Sequence, residues 1–414
     1  MELADVDIYD PDNYVAAVPH EMFTTLRREA PVYAHPHPDG GFFWAVTRHE
    51  DIVTVNRDAK SYSSSNGGTL LDNHSEDQLV GERLMILNMD PPDHTRLRKI
   101  VNKAFTPRTI RMLIDTLRER AQRIVAEVSE RGECDFVTDI ACELPLQAIA
   151  DIMGVPQEDR HLVFDWSNRL IGFNDPEFRD QSSPAEEAGE AAAELYAYSE
   201  ALAEARRSSP ADDIITTLLT AEVDGERLGP MEFNMFFLLL AVAGNETTRN
   251  AISQSMFALL EHPDERQRLL DDPSLIDTAT EEFLRWTTPV MHFRRTATTD
   301  LVLGGQKIAE GDRVVMVHMS GNRDADVFDD PFRFDITRDP NAHLQQIAFG
   351  GGGPHFCLGA NLARAEIKLM FQELLAVLPD IELSAPPSRL RSNFINGIKH
   401  MPISYTPVKA PAPA

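Results

Sequence analysis

Apolar residues recur at spacings of three and four over Thr109–Ser129, Leu144–Met153, Ala185–Arg207, Met231–Glu261, Asp277–Arg285 and Asn361–Leu378, the period of amphipathic helices. Strand-like alternation is short. It covers Phe42–Thr47, Leu301–Ile308 and Arg313–His318, with Gly304-Gly305 and Glu310-Gly311-Asp312 as turns. The pattern predicts a mainly α fold with small β-sheets, not alternating βαβ units. The most apolar run, Met235–Ala243, stops at Gly244-Asn245-Glu246 after about half the ~20 residues that a membrane span requires. It reads as a buried helix. No internal repeat is visible and linkers are short, so one domain is expected over 1–414, with a disordered Pro/Ala-rich tail at 407–414. Asn174–Gly189, with Asp175-Pro176 and Ser182-Ser183-Pro184, reads as a candidate lid.

Composition adds charge to this picture. The 414 residues are 43% hydrophobic and 25% charged, with a net charge of −27, a field that opposes nucleic acid and anionic lipid surfaces. Three cysteines cannot build a disulfide framework, and Met1–Asp7 lacks the features of a secretory signal, so a cytoplasmic protein is expected. One stretch breaks the acidic balance. His94–Arg111 carries Arg96, Arg98, Lys99, Lys103, Arg108 and Arg111 without a single acid, a docking face for an acidic electron donor.

The most informative segment is Phe349-Gly350-Gly351-Gly352-Gly353-Pro354-His355-Phe356-Cys357-Leu358-Gly359. Consecutive glycines permit backbone angles closed to other residues and are entropically costly, so the loop demands a reason. Cys357 then sits at the start of a helical pattern, where backbone N–H groups favour a thiolate, fit to be a nucleophile or a metal ligand. A lone cysteine is ordinarily a small buried hydrophobe, which is the reading for Cys134 and Cys142.

Other constellations are weaker singly. Glu282 and Arg285 stand three apart on one helical face, as surface ion pairs commonly do. Polar residues interrupt the long apolar helix at Ala243-Gly244-Asn245-Glu246-Thr247-Thr248, and Leu240, Ala243, Gly244 and Thr247 share a face. His94 and Arg98 are stacked at i,i+4.

Together these segments resemble the cytochrome P450 family over essentially the whole chain. The cysteine loop is similar to the haem-thiolate loop F-x-x-G-x-[H/R]-x-C-x-G, with Phe349 one residue farther from Cys357 than in the commonest pattern; the long helix resembles the oxygen-activation motif, and Glu282/Arg285 the E-x-x-R pair. The resemblance implies haem b with Cys357 as the iron ligand, and O2 as co-substrate. It implies propionate contacts from His94, Arg98, Arg295 and His355, and further cofactor contacts from Ala243, Gly244, Phe349, Gly350 and Gly359. Gly244 would leave room for O2, Thr247 would donate a hydrogen bond during its activation, and Glu246 would feed protons inward. Arg333 would complete a buried triad with Glu282 and Arg285. Leu240, Ala243, Val290, Met291 and Ile395 would form the substrate pocket.

Ala241–Asn250, Cys142–Ala150 and Asn396–His400 resemble actinobacterial enzymes that hydroxylate terminal methyls of sterol side chains or methyl-branched lipids. The implied partners are a ferredoxin, its reductase and an apolar small molecule, with the chain a monomer. A terpenoid or macrolide hydroxylase, a peroxygenase and a haem-thiolate sensor are the alternatives. An apolar pocket separates substrates differing by one methylene by only ~1–3 kcal/mol, so the substrate is weakly encoded.

Overall fold

The computed structural model describes residues 1–409 apart from 74, 104, 172–174, 179–183, 212 and 223–224. Of the expected lid, 174 and 179–183 lie outside the described residues, while Pro176–Phe178 forms a 3-10 turn and a long helix begins at Pro184; the last five residues of the tail are also outside. Nine helices position the site: α1 (His49–Arg57), α2 (Asp93–Val101), α3 (Pro107–Ser129), α4 (Glu143–Met153), α5 (Arg160–Ile171), α6 (Pro184–Ser208), α7 (Pro230–Glu261), α8 (Ile276–Thr287) and α9 (Ala360–Val377).

Local chemistry sets their ends. Thr106 caps α3 by accepting from the Thr109 N–H at 3.2 Å, with Pro107 in the first turn where its missing N–H does no harm. Glu232 accepts from the Gly229 N–H at 2.9 Å to close the start of α7. Gly154 ends α4 in the left-handed region, φ 61°.

α7 is apolar on several sides because it is surrounded. It packs against α4, α5, α6, α8 and α9, and α9 also lies along α3. Phe236 and Phe237 are 2% and 1% exposed, and burying each contributes roughly 1.5–3 kcal/mol. Among the described residues no helix is long and apolar enough to cross a membrane.

The main sheet has five strands: β1 (Val32–Pro36), β2 (Phe42–Val46), β3 (Tyr62–Ser63), β4 (Phe293–Ala297) and β5 (Arg313–Met316), in the order β1-β2-β5-β4-β3. β4 and β5 run antiparallel with Arg295 opposite Val314. Neighbouring side chains on a strand point to opposite faces, so Arg294 and Arg295 go to different sides. Arg294 lies beneath the 65–73 loop, donating to Asp72 O at 3.0 Å, while Arg295 borders the central cavity.

Candidate active site

A cavity lies between α7 and the cysteine loop. The loop is shaped by its glycines: Gly350, Gly351, Gly352 and Gly353 have φ of 95°, 65°, 104° and 81°, values that L side chains avoid. A Cβ on Gly353 would lie 2.2 Å from the Asn56 carbonyl oxygen at the end of α1. The loop thus rests directly on backbone. It closes where the Cys357 N–H donates to Phe349 O at 3.1 Å and the Phe356 N–H to Gly353 O at 3.2 Å.

Cys357 lies three residues before α9, and its remaining accessible surface opens onto the cavity. Burial pushes its thiol pKa up, opposed by the Gly359 and Ala360 N–H groups and by the charges of Arg98 and Arg364. Among the described residues no group of three or more His, Cys, Asp or Glu could hold a metal ion. A single thiolate suits a metal brought in by its own macrocycle.

The cations expected from sequence meet along one side. His94, Arg98, Arg295 and His355 all border the cavity, with the His94 and His355 rings 4.2 Å apart. Arg98 donates from Nη2 to Phe356 O at 2.7 Å, Arg295 from Nη1 to Arg294 O at 2.8 Å, and Ser64 Oγ is 3.1 Å from His355 Nε2. Burial and the neighbouring Arg98 push His94 down to about 4, and burial with Arg295, His94 and Arg98 holds His355 well below the usual range. Both imidazoles are neutral while both guanidiniums stay charged. Two positive charges with two neutral donors on one wall match a ligand carrying two carboxylates, and a lone thiol aimed into an otherwise apolar cavity matches its iron, so the residues present fit haem.

On α7, Leu240, Ala243, Gly244 and Thr247 border the cavity, joined by Thr248 and Ala251. Thr247 Oγ1 donates to Ala243 O at 2.7 Å, a bond within its own helix that leaves the oxygen free to accept. The space at Gly244 is taken by protein, since a Cβ there would lie 2.9 Å from Ile149 Cδ1 on α4. Glu246 points elsewhere. It is 2% exposed, does not border the cavity and pairs with Arg249, while Asn250 Nδ2 donates to its Oε1 at 2.8 Å. Arg249 in turn donates to Asn168 Oδ1 on α5 at 3.0 Å. Glu246 Oε2 and both polar atoms of Asn245 have no protein partner, the situation in which buried waters lodge.

Four expectations need correcting. Arg333 does not complete the triad: its side chain is 56% exposed and lies 3.6 Å from Asp335. Glu282 and Arg285 are fully buried and joined by two bonds of 2.7 Å, and their neighbours are Arg338 Nε and His343 Nε2, each 3.4 Å from Glu282 Oε2. Phe334 turns inward to stack on Phe283, which sends the adjacent Arg333 outward. Met291 does not border the cavity either. Val290 does, and in extended backbone the next side chain faces away, so Met291 packs with Phe43, Val315 and Met319. Ile395, bridged to Val290, is buried but outside the cavity lining. The basic stretch is also thinner than its sequence: Arg96 pairs with Glu226 and Glu232 and Arg98 turns inward. Lys99, Lys103, Arg108 and Arg111 remain exposed.

Glu366 borders the cavity unanticipated. It is 2% exposed on α9 and hydrogen-bonded to Thr248; burial, opposed by that bond, raises its pKa to about 8. Its position in line with Leu362, Met370 and Leu374 on the apolar stripe was the available signal. The native state therefore keeps a proton that the unfolded chain, with its ordinary value of 4.5, has released. Whatever stability depends on this group is intact below pH 4.5 and declines as pH rises to about 8. Glu366→Gln is expected to flatten that decline in Tm measured against pH. An unchanged slope would show that Glu366 titrates normally.

Comparison with known proteins agrees with this geometry. The cytochrome P450 family model matches residues 43–378. A steroid C26-monooxygenase of Rhodococcus jostii is 46% identical over 408 residues, covering 96% of this chain and 84% of that protein. A methyl-branched lipid omega-hydroxylase of Mycobacterium bovis is 42% identical over 416 residues, covering 98% and 95%. A Mycobacterium marinum cytochrome P450 solved with pseudoionone superposes with a TM-score of 0.90 at 41% identity, covering 97% of this chain and 98% of that one. With a thiol presented by a glycine loop beneath an apolar cavity and this likeness along nearly its full length, the chain belongs to the cytochrome P450 family and is a haem-thiolate monooxygenase.

Proposed function

We propose that the enzyme hydroxylates a terminal methyl group of an apolar steroid side chain or methyl-branched lipid, with electrons from a ferredoxin and its reductase. The observation that carries this reading is the cavity wall facing Cys357. Ile86, Leu87, Phe236, Leu239, Leu240 and Val290 present only hydrocarbon, with Ala243 and Thr247 beyond them. Such a wall takes a flexible apolar chain by its tail and offers no partner for a polar head inside, favouring reaction at the terminus. The curated relatives above act on steroids and methyl-branched lipids.

Bound haem supplies the O2 chemistry that breaks an unactivated C–H bond. In this chain Cys357 Sγ would be the ligand, and the cavity-lining Phe349, Gly350, Gly359, Ala243 and Gly244 would border the macrocycle. Arg98 and Arg295 hold the propionates with charge, and His94 and His355 with neutral N–H groups. Thr247 Oγ1 stands at the cavity surface to pass a proton. Glu246, clamped by Arg249 outside the cavity lining, would need water lodged at the unpartnered Asn245 to reach Thr247. Lys99, Arg108 and Arg111 form the exposed face for the acidic ferredoxin.

The holoenzyme, supplied with NADH, a ferredoxin and its reductase, is expected to convert cholest-4-en-3-one or a methyl-branched fatty acid to the terminally hydroxylated product, read by mass spectrometry. Hydroxylation confined to internal carbons, or to terpenoids alone, would overturn the assignment. Haem binding with no O2-dependent product from any of these would favour a sensor.

A further inference from the structure

Arg364 on α9 is not accounted for by the cavity, since it lies outside the lining. Its guanidinium carbon stands 4.6 Å from the centre of the Phe349 ring, within cation–π range. Its Nε and Nη2 grip both oxygens of Glu281 on α8, Nη2 at 3.1 Å. Gln346 Nε2 also donates to Glu281 at 3.2 Å, and Gln346 Oε1 accepts from the Ala348 N–H at 2.8 Å, so the same carboxylate steadies the entry to the cysteine loop. Phe349 in turn accepts the Cys357 N–H at 3.1 Å. A continuous chain of contacts therefore runs Glu281, Arg364, Phe349, Cys357. Its outer end opens on a separate surface cleft shared with Arg118, Asp277 and Lys368.

We propose that Arg364 and Glu281 are positioning residues of opposite electrostatic effect that set the reduction potential of the thiolate-bound iron through Phe349. The idea rests on the haem-thiolate reading of Cys357. One-electron reduction adds negative charge beside the sulfur. A nearby cation stabilises the reduced form, and a nearby carboxylate opposes it. Arg364 stands over the ring of Phe349, whose carbonyl holds the Cys357 N–H, and its planar fork does two jobs at once: stacking on the ring and binding a carboxylate with two parallel bonds. Glu281 mutes the cation by pairing with it. The two residues break the same ion pair when removed, yet their charges differ in sign, and this separates an electrostatic role from a structural one.

Spectroelectrochemical titration of the purified holoprotein, without substrate or donor, tests it. Arg364→Gln is expected to shift the potential to a more negative value and Glu281→Gln to a more positive one. Arg364→Lys, which keeps the charge and loses the planar stack, is expected to fall between wild type and Arg364→Gln. Both charge-neutralising variants leaving the potential unmoved, or moving it in the same direction, would overturn the proposal. The ferrous–CO absorption of the wild type separates this failure from the deeper one. A thiolate signature with unmoved potentials removes only the role of Arg364 and Glu281, whereas its absence in the wild type removes the haem-thiolate reading itself.

Discussion

Replacing Arg285 by alanine is expected to cost about 3–5 kcal/mol of folding stability, the range for removing one partner of a buried ion pair. The reason is the charge left behind. Glu282 is 0% exposed, and its carboxylate takes two bonds of 2.7 Å from Arg285 and one of 3.0 Å from the Asp335 N–H. Burial by itself would raise its pKa; the bonds from Arg285 and His343 and the Arg285 charge outweigh that and hold it at about 2. The stability this carboxylate contributes is present above its ordinary value of 4.5 and is lost as pH falls from there towards about 2. Arg285 also donates to the Asn322, Pro331 and Arg333 carbonyls, so its loss orphans the first two as well, while the Arg333 carbonyl keeps a bond from Arg338 at 2.9 Å. Chemical denaturation of the purified variants measures the effect. Arg333→Ala, which removes an exposed side chain, is expected within ~0.5 kcal/mol of wild type, and a large loss there together with a mild one at Arg285 would reverse the correction made above.

Gly353→Ala is expected to abolish most haem incorporation. At φ 81° an alanine is strained in any surroundings, and here its Cβ would lie 2.2 Å from the Asn56 oxygen and 2.9 Å from the Asn56 carbonyl carbon. These are backbone atoms at the end of α1, with no rotamer by which to move aside. The loop must lift, and Cys357, four residues on, moves with it. Gly352→Ala separates strain from collision: φ is 104°, the residue lies outside the cavity lining, and the nearest approach is the flexible end of the Arg57 side chain at 3.1 Å. That variant is expected to cost only the ~1–3 kcal/mol of a strained backbone conformation and to keep its haem. The ratio of haem absorbance to protein absorbance after purification reads both. Equal losses at the two glycines would mean that strain alone governs the loop.

The parts of this molecule legible in the sequence are those with a strong local signal. The six long helices announce themselves through apolar period, and the structure matches each to within two or so residues at either end. The cysteine loop is equally plain, because four consecutive glycines have no cheaper explanation than backbone angles other residues avoid. What escaped depends on direction rather than spacing. Whether Arg333 or Arg338 reaches Glu282 is settled by which way Phe334 turns, and Met291 is lost to the cavity by a single step in extended chain. β4 carries Arg294, Arg295 and Thr296 on a buried strand, so it lacks the apolar–polar alternation by which strands are found. Glu366 was concealed in the opposite manner, as one carboxylate within an otherwise apolar stripe. Glu246 shows the remaining difficulty: its neighbour Thr247 borders the cavity, and about 100° of helical rotation turns Glu246 onto Arg249 instead.

The two arginines of β4 tie a surface loop and the cavity to one strand register. A Cβ on Gly67 would lie 2.5 Å from Arg294 Nη2, so the 65–73 loop lies directly on Arg294, and the same strand register that places Arg294 delivers Arg295 to the cavity. A slip of one residue would exchange the two side chains, burying the cavity's arginine under the loop and leaving the loop's support in the cavity. One-residue insertions or deletions between Val290 and Phe293 would therefore displace the loop's support and the cavity's arginine in a single event.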